Sequence, residues 1–450
     1  MRKRAWSVLL SAVMVVALFA GCGVDDAAEG SQDGKVTIRF HTHGNEASYN
    51  WKETIAAFEK EYPDIKVNLV ILSEKGDTQE AMKKLDLAAA SGEEMDVLMF
   101  SDPASYAQRV GMGMVAPLDD LIAEDGYQVQ EEYKVDTQLD GHVYALPGKF
   151  NPWYVLLNKD HLDEAGLAVP QDWTWDEMMD YAKKLTKGEG ANKRYGVYFH
   201  GPQGGGWMEF LKLALGNQPD QTEFLKADGS SNLDSPLFRK SLEMRLKMEK
   251  EDQSSTPYEA MLSQKLHYRA QFFNQEASMI MIGSWMNTEL GGTEQFPLRF
   301  DVAVAPYPQN EEDDPVGYAP VTTDYMAVAA KSNHPKEAYQ FIRWYTTEGQ
   351  LIQGKNIPSW NKVGTNELDQ LVDDILATTE NPEKVDKESL VKVQSEAKAA
   401  KMTPPVSYQA EIYKVLNEEY EKLIFDKQDL DTTIRQAQER VQTIIDSNKK

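Results

Sequence analysis

Residues 141–162, GHVYALPGKFNPWYVLLNKDHL, constrain this chain more than any other stretch. Residues 144–147 are short and β-prone, 148–152 hold the glycine and proline of a turn, and 153–157 form an apolar run long enough for one buried strand. That series predicts the end of one α/β unit, a crossing, and the start of a second. Roughly 415 residues follow the polar segment ending at Lys35, too many for one hydrophobic core and natural for two lobes. If a ligand sits between the lobes, the segment lies along the cleft floor, with Lys149, Asn151 and Trp153 facing it. The competing expectation for each of the three is an ordinary loop or core position.

The opening residues predict export. Arg2, Lys3 and Arg4 precede an almost wholly apolar run at 5–19, and Ala20 and Gly21 offer small residues for cleavage. No later run reaches the roughly 18 apolar residues that a transmembrane helix needs. Residues 18–22, LFAGC, resemble the lipobox of bacterial lipoproteins, in which cleavage precedes the cysteine and its thiol carries a lipid. Cys22 is the only cysteine, so no internal disulfide is possible. Residues 23–35, GVDDAAEGSQDGK, have the small, polar composition of a tether. The expectation is a signal peptide at 1–21, a lipid-anchored tether at 22–35 and a body held on a membrane face.

With 47 Lys+Arg against 72 Asp+Glu, the chain carries a net charge of -25, and loss of the basic leader makes the body more acidic still. Such a surface repels nucleic acid and anionic lipid and keeps the molecule unassociated, so a monomer without nucleic-acid partners is expected.

Residues 35–40, KVTIRF, alternate as a half-buried strand, and a polar turn from His41 to Glu46 follows. Trp51, Ile55, Phe58 and Tyr62 then recur at helical spacing before a second strand at 65–72. Ligands of open α/β sheets gather where strands end and helices begin, which makes Asn45 and Glu46 hydrogen-bonding candidates. Asp102 stands at the next such junction, before Pro103, where capping a helix competes with contacting a ligand. His41 and His43 lack a third or fourth ligand nearby, and the glycine-rich 200–207, HGPQGGGW, lacks the lysine and hydroxyl of a P-loop. Neither a metal nor a cofactor is expected.

Several motifs, in order, resemble the extracellular solute-binding proteins of bacterial ABC importers, the sugar-associated group that includes maltodextrin-binding protein. They are YPDIKV (62–67), DVLMF (96–100), VAPLDDLI (115–122), YALPGKF (144–150) with LLNKDHLDEAGL (156–167), and WTWDEMMDYAKKLT (173–186). FFNQEASMIMIGSWM (272–286), APYP (305–308) and HPKEAYQFIRWYTTEGQ (334–350) complete the series. The resemblance implies a two-lobed α/β fold, periplasmic-binding-protein-like, with a hinged interlobe cleft that closes over a solute. Boundaries follow at 36–147 for the first lobe, 148–318 for the second, 319–350 for a return to the first, and 351–450 for helices packing mainly on the second. Residues 318–328, YAPVTTDYMAV, form the return, placing Thr323, Asp324 and Tyr325 near the hinge. The charged residues of 367–401 read as a solvated helical face.

A sugar has a face of C–H groups and a rim of hydroxyls, so aromatic planes ringed by polar side chains suit it. Trp207, beside the glycines, and Trp285, where the resemblance implies a ring against the sugar, are the leading candidates. The resulting expectation is a lipid-anchored receptor on the outer face of a Gram-positive cell membrane, delivering a carbohydrate, an oligosaccharide, to an ABC permease without catalysis. A non-carbohydrate solute is the alternative within the binding class. A surface glycoside hydrolase needs a paired-carboxylate site that no motif singles out.

Overall fold

The computed structural model describes residues 34–201, 208–218, 224–226, 228–399 and 405–449. Strand β1 (Val36–Thr42) turns Ile38 and Phe40 inward, and Trp51 and Phe58 of helix α1 (Trp51–Glu61) cover them; the Phe40 and Trp51 rings meet edge to face at 4.9 Å. Strand β2 (Ile65–Ile71), helix α2 (Thr78–Ser91), strand β3 (Val97–Phe100) and helix α3 (Pro103–Gly111) repeat the unit. Asp77 caps the start of α2 by accepting from the Glu80 N–H, and Gly92 ends it in the left-handed conformation.

Strand β4 (Ala145–Pro147) closes the first run, and β5 (Asn151–Asn158) opens the second. All eight residues of β5 are buried, as suits a strand covered on both faces. Helix α4 (Trp175–Leu185), strand β6 (Tyr195–Phe199), helix α5 (Pro236–Leu246), helix α6 (Tyr268–Phe273), and strands β7 (Ala277–Gly283) and β8 (Val302–Ala305) follow. The chain returns through β9 (Val321–Thr322) and β10 (Tyr325–Val328) and ends in helices α7 (Pro335–Trp344), α8 (Thr365–Ala377), α9 (Lys387–Glu396), α10 (Gln409–Ile424) and α11 (Leu430–Asn448).

Two five-stranded sheets result. In the first lobe the order is β2-β1-β3-β10-β4, with β1 parallel to β2 and β3, and β10 antiparallel to β3 and β4. In the second it is β8-β5-β7-β6, with β9 paired to the first residues of β5. One core, containing Phe40, Trp51 and Phe341, and another, containing Phe100, Tyr106 and Tyr325, pack with the first sheet. A larger core joins β5, β6 and β7 to α4 and α10.

The lobes are linked where β4 passes to β5 through residues 148–150 and where β9 passes back to β10 through 323–324. The Gly148 N–H donates to the Asp324 carbonyl at 2.9 Å, and Thr323 Oγ1 donates to the Lys149 carbonyl at 2.6 Å, so the crossings run side by side. A third segment lies against them: the Phe150 N–H donates to Ile357 O and the Ser359 N–H to Gly148 O.

Local departures from the sequence reading have plain causes. Strand β1 continues through His41 and Thr42 because β2 pairs with it as far as Ile71. Strand β5 begins at Asn151, within the expected turn, because β9 supplies partners for Asn151 and Pro152. Helices α8 and α9 are not purely solvated: Val372, Leu376, Leu390 and Val393 enter the second-lobe core. Helix α10 packs on that lobe through Ile412, Val415 and Leu416 and also touches α3 of the first, whose Ala104 joins the same core. Among the described residues no helix is long and apolar enough to cross a membrane.

Candidate functional site

The crossings bring two side chains, 175 positions apart in sequence, into one buried network. Lys149 Nζ lies 3.1 Å from Asp324 Oδ2 and donates to the Tyr49 hydroxyl at 2.6 Å, which in turn donates to Asp324 Oδ2 at 2.8 Å. His43 Nε2 is 3.3 Å from the same hydroxyl and 3.7 Å from Asp324 Oδ1. Burial lowers the His43 pKa to about 4 against the pull of Asp324, so the ring is neutral near pH 7. Burial, with Asp324 beside it, holds the Tyr49 hydroxyl well above its ordinary range. Asp324 Oδ1 has no hydrogen-bond partner among the described residues. Lys149 and the Tyr49 hydroxyl thus satisfy only the Oδ2 oxygen of Asp324 at the crossings.

The second lobe supplies an aromatic wall. Strand alternation puts Asn151 and Trp153 on one side of β5. The Trp153 ring meets Trp285 at 5.4 Å and 80°, and lies 6.5 Å from His200. Trp285 folds back over Gly283, the last residue of β7; a Cβ there would stand 2.0 Å from the indole. Its Nε1 donates to the Tyr268 hydroxyl at 3.3 Å, His200 packs edge to face on Tyr268 at 4.7 Å, and Arg269 lies over the Tyr268 ring while gripping Glu289 with two nitrogens. Burial, reinforced by His267 and Arg269, lowers the His200 pKa to about 3.

Polar groups surround these rings. Asn151 Oδ1 accepts from Ser284 Oγ at 3.1 Å, while its Nδ2 has no partner among the described residues. Trp153, Phe199, His200, Glu209, Phe210, Leu213 and Met281 meet around a closed gap too tight for a water molecule. The arrangement offers ring faces, ring edges and separated donors and acceptors. Sequence reasoning did not single out Tyr49, Tyr268 or Glu209 for this site. For Glu209 a signal existed: Glu209 and Lys212 are the only charges in the otherwise apolar run 208–215.

Other expected contacts are occupied by local structure. Asn45 caps the single turn Glu46–Tyr49 by accepting from the Ser48 N–H, and its amide donates to the Glu74 carbonyl. Glu46 accepts from the Lys52 N–H through both oxygens at 3.2 and 3.3 Å. Asp102 caps α3, accepting from the Ser105 N–H at 2.8 Å, and burial pushes its carboxyl up. Tyr325 is corrected to a core position: strand alternation turns it away from Asp324, and its ring stacks on Tyr106 at 4.5 Å. Trp207 lies outside the described residues.

Residues 43–352 match the model of the family described as bacterial extracellular solute-binding protein. The multiple sugar-binding protein of Streptococcus mutans is 24% identical over 343 residues, which cover 73% of this chain and 75% of that one. The fold resembles that of an ABC substrate-binding protein from Listeria monocytogenes in complex with cycloalternan, at TM-score 0.70 and 20% identity over 92% of this chain and 99% of that one. It also resembles a Mycobacterium tuberculosis protein, UgpB, in complex with glycerophosphocholine, at TM-score 0.69 and 17% identity over 92% of this chain and 99% of that one. The family match covers more than half of the sequence, and this two-lobed chain with crossings beneath an aromatic wall belongs to the bacterial extracellular solute-binding proteins.

Proposed function

We propose that the protein is a receptor that captures a carbohydrate between its lobes and delivers it to an ABC permease without chemical change. The observation that carries this reading is the Trp153–Trp285 pair, with Asn151 Nδ2, which has no partner among the described residues, beside it on β5. Aromatic planes take the C–H face of a sugar ring, and unpartnered buried amides and carboxylates take its hydroxyls. The naming of the streptococcal relative for sugars supports the same class. In this reading closure is a hinge motion about the crossings, within the boundaries read from the sequence, and the receptor works as a monomer.

The reading includes a lipid on Cys22 that holds the body to the outer face of a Gram-positive cell membrane after removal of residues 1–21. Those residues lie outside the described ones, and the proposal rests on the lipobox-like LFAGC. Cys22→Ser is expected to release the protein from the membrane fraction; retention of the variant would remove the anchor from the account.

A thermal-shift screen tests the solute class with maltose, maltotriose, sucrose, raffinose, mannitol and glycerophosphocholine. A ligand bound only by the native state raises Tm, by the equivalent of about 2.7 kcal/mol at 100 times Kd. The expected outcome is a shift with a sugar and no product by chromatography. A shift with glycerophosphocholine alone would move the solute outside the carbohydrates, and cleavage of a bound sugar would make the protein a hydrolase.

A further inference from the structure

Trp285 stands near the start of the short 3-10 helix Ser284–Glu289, and Glu289 ends it. A helix of that kind has poor hydrogen-bond geometry and by itself holds a partly exposed ring only weakly. Asn287, which is buried, ties the helix to the second sheet by accepting from the Tyr154 hydroxyl at 2.8 Å. Trp285 is tied from α6 instead. Arg269 Nε and Nη2 each donate to one carboxylate oxygen of Glu289 at 2.5 Å, and the same guanidinium lies 4.7 Å from the centre of the Tyr268 ring. The Tyr268 hydroxyl accepts from Trp285 Nε1 at 3.3 Å. The contacts therefore run from Trp285 through Tyr268 and Arg269 to Glu289, and the helix backbone returns them to Trp285.

An ion pair with side-chain exposures of 24% and 12% gains little net stability, because desolvation offsets the attraction. Two parallel N–H···O bonds do fix a direction, and the planar guanidinium passes it to the ring it covers. We propose that Arg269 and Glu289 are positioning residues: together they hold Trp285 at the angle at which its ring takes the solute, without touching the solute themselves. The inference rests on reading Trp285 as part of a carbohydrate platform. A ring held in place beforehand loses little freedom on binding, whereas a loose one must be ordered by the solute. Affinity should therefore depend on a pair that contributes no contact of its own.

Glu289→Gln keeps the shape of the side chain and breaks one of the two bonds, and Arg269→Lys keeps the charge without the planar fork. Titration calorimetry of the full chain with maltose, maltotriose, sucrose, raffinose and mannitol is expected to show binding about three- to tenfold weaker in each variant, for the sugar that wild type takes. The double variant should bind no more weakly than either single one, since the two residues act as a unit. Protein grown with 5-fluorotryptophan gives a readout that a loss of stability alone does not move. The fluorine line of Trp285, identified by its loss in Trp285→Phe, should shift or broaden in both variants before sugar is added, while that of Trp51 in the first-lobe core stays in place. Wild-type affinity in Arg269→Lys would mean that charge rather than direction matters and would overturn the proposal, as would a Trp285 line that does not move. Loss of native circular dichroism in both variants would make the pair a scaffold element and overturn it too. If wild type binds none of the five sugars, the carbohydrate reading fails and takes this inference with it; sugar binding by wild type with an unmoved Trp285 line in the variants sinks the inference alone.

Discussion

Trp285 separates binding from scaffold at the scale of one residue. Its ring is only partly buried and leans on Trp153 and Tyr268 at the edge of the second-lobe core. A fully buried aromatic truncated to alanine costs about 3–5 kcal/mol. Trp285→Ala therefore falls below that range for folding while removing one of the two platform rings. The expected outcome is at least tenfold weaker sugar binding, read by calorimetry, with a Tm loss of no more than about 5 °C. Equal losses of both would return the ring to the core. Trp285 was singled out because the resemblance implies a ring against the sugar there, just after an apolar run that ends in Gly-Ser. Asp324 was placed near the hinge, but its bond to Lys149 spans 175 positions and no local pattern encodes it. Asn45 and Asp102 show the reverse: both are polar residues at strand-to-helix junctions, and sequence alone does not separate capping from ligand contact.

Among elements, those fixed by local chemistry were the readable ones. Thr174 and Glu177 form both legs of the capping box that starts α4: the Glu177 N–H donates to Thr174 Oγ1, and the Thr174 N–H donates to Glu177 Oε2 at 2.8 Å. The same helix buries Trp175, Met178, Met179, Ala182 and Leu185, the stripe that its spacing predicts. What the spacing does not give is how closely the helix approaches the sheet. Gly196 of β6 lies so near α4 that a Cβ would stand 1.8 Å from the Ala182 carbonyl oxygen, a backbone atom that cannot rotate aside. Gly196→Ala must push helix and strand apart, and overpacking of this kind costs about 1–3 kcal/mol. A Tm several degrees below wild type is expected, with sugar affinity changed much less because the contact lies away from the aromatic wall. An unchanged Tm would mean that α4 is free to shift. The early start of β5 belongs with such cases, since its partner strand β9 comes some 170 residues later.

At the scale of the molecule, two crossings were expected, one from a β-prone run beside a turn within 141–162 and the other, at 318–328, with the resemblance. The third was not, because residues 356–359 have no strand pattern of their own and are held by backbone bonds to Phe150 and Gly148. Three buried histidines, His43 at the crossings and His161 and His200 in the second lobe, share one consequence of this architecture. Burial is the first cause in each and lowers their pKa values to about 4, 4 and 3, from 6.5. Between those values and 6.5 the unfolded chain binds protons that the folded one refuses, so stability falls as pH drops through this window. One pKa unit corresponds to about 1.4 kcal/mol, which puts the loss at roughly 1 kcal/mol per histidine by pH 5.5. The carboxylates with lowered pKa values lose stability only at lower pH, whereas Asp102 and Glu249, whose carboxyls burial pushes up, offset part of the imidazole loss as pH falls from 7.5 to 5.5. Denaturant unfolding at the two ends should show lower stability at pH 5.5, and His200→Gln should reduce the difference by roughly 1 kcal/mol. Equal stability at both ends would mean that these rings reach water in the folded protein, and that the second lobe is looser around Trp153 than the packing of His200 on Tyr268 requires.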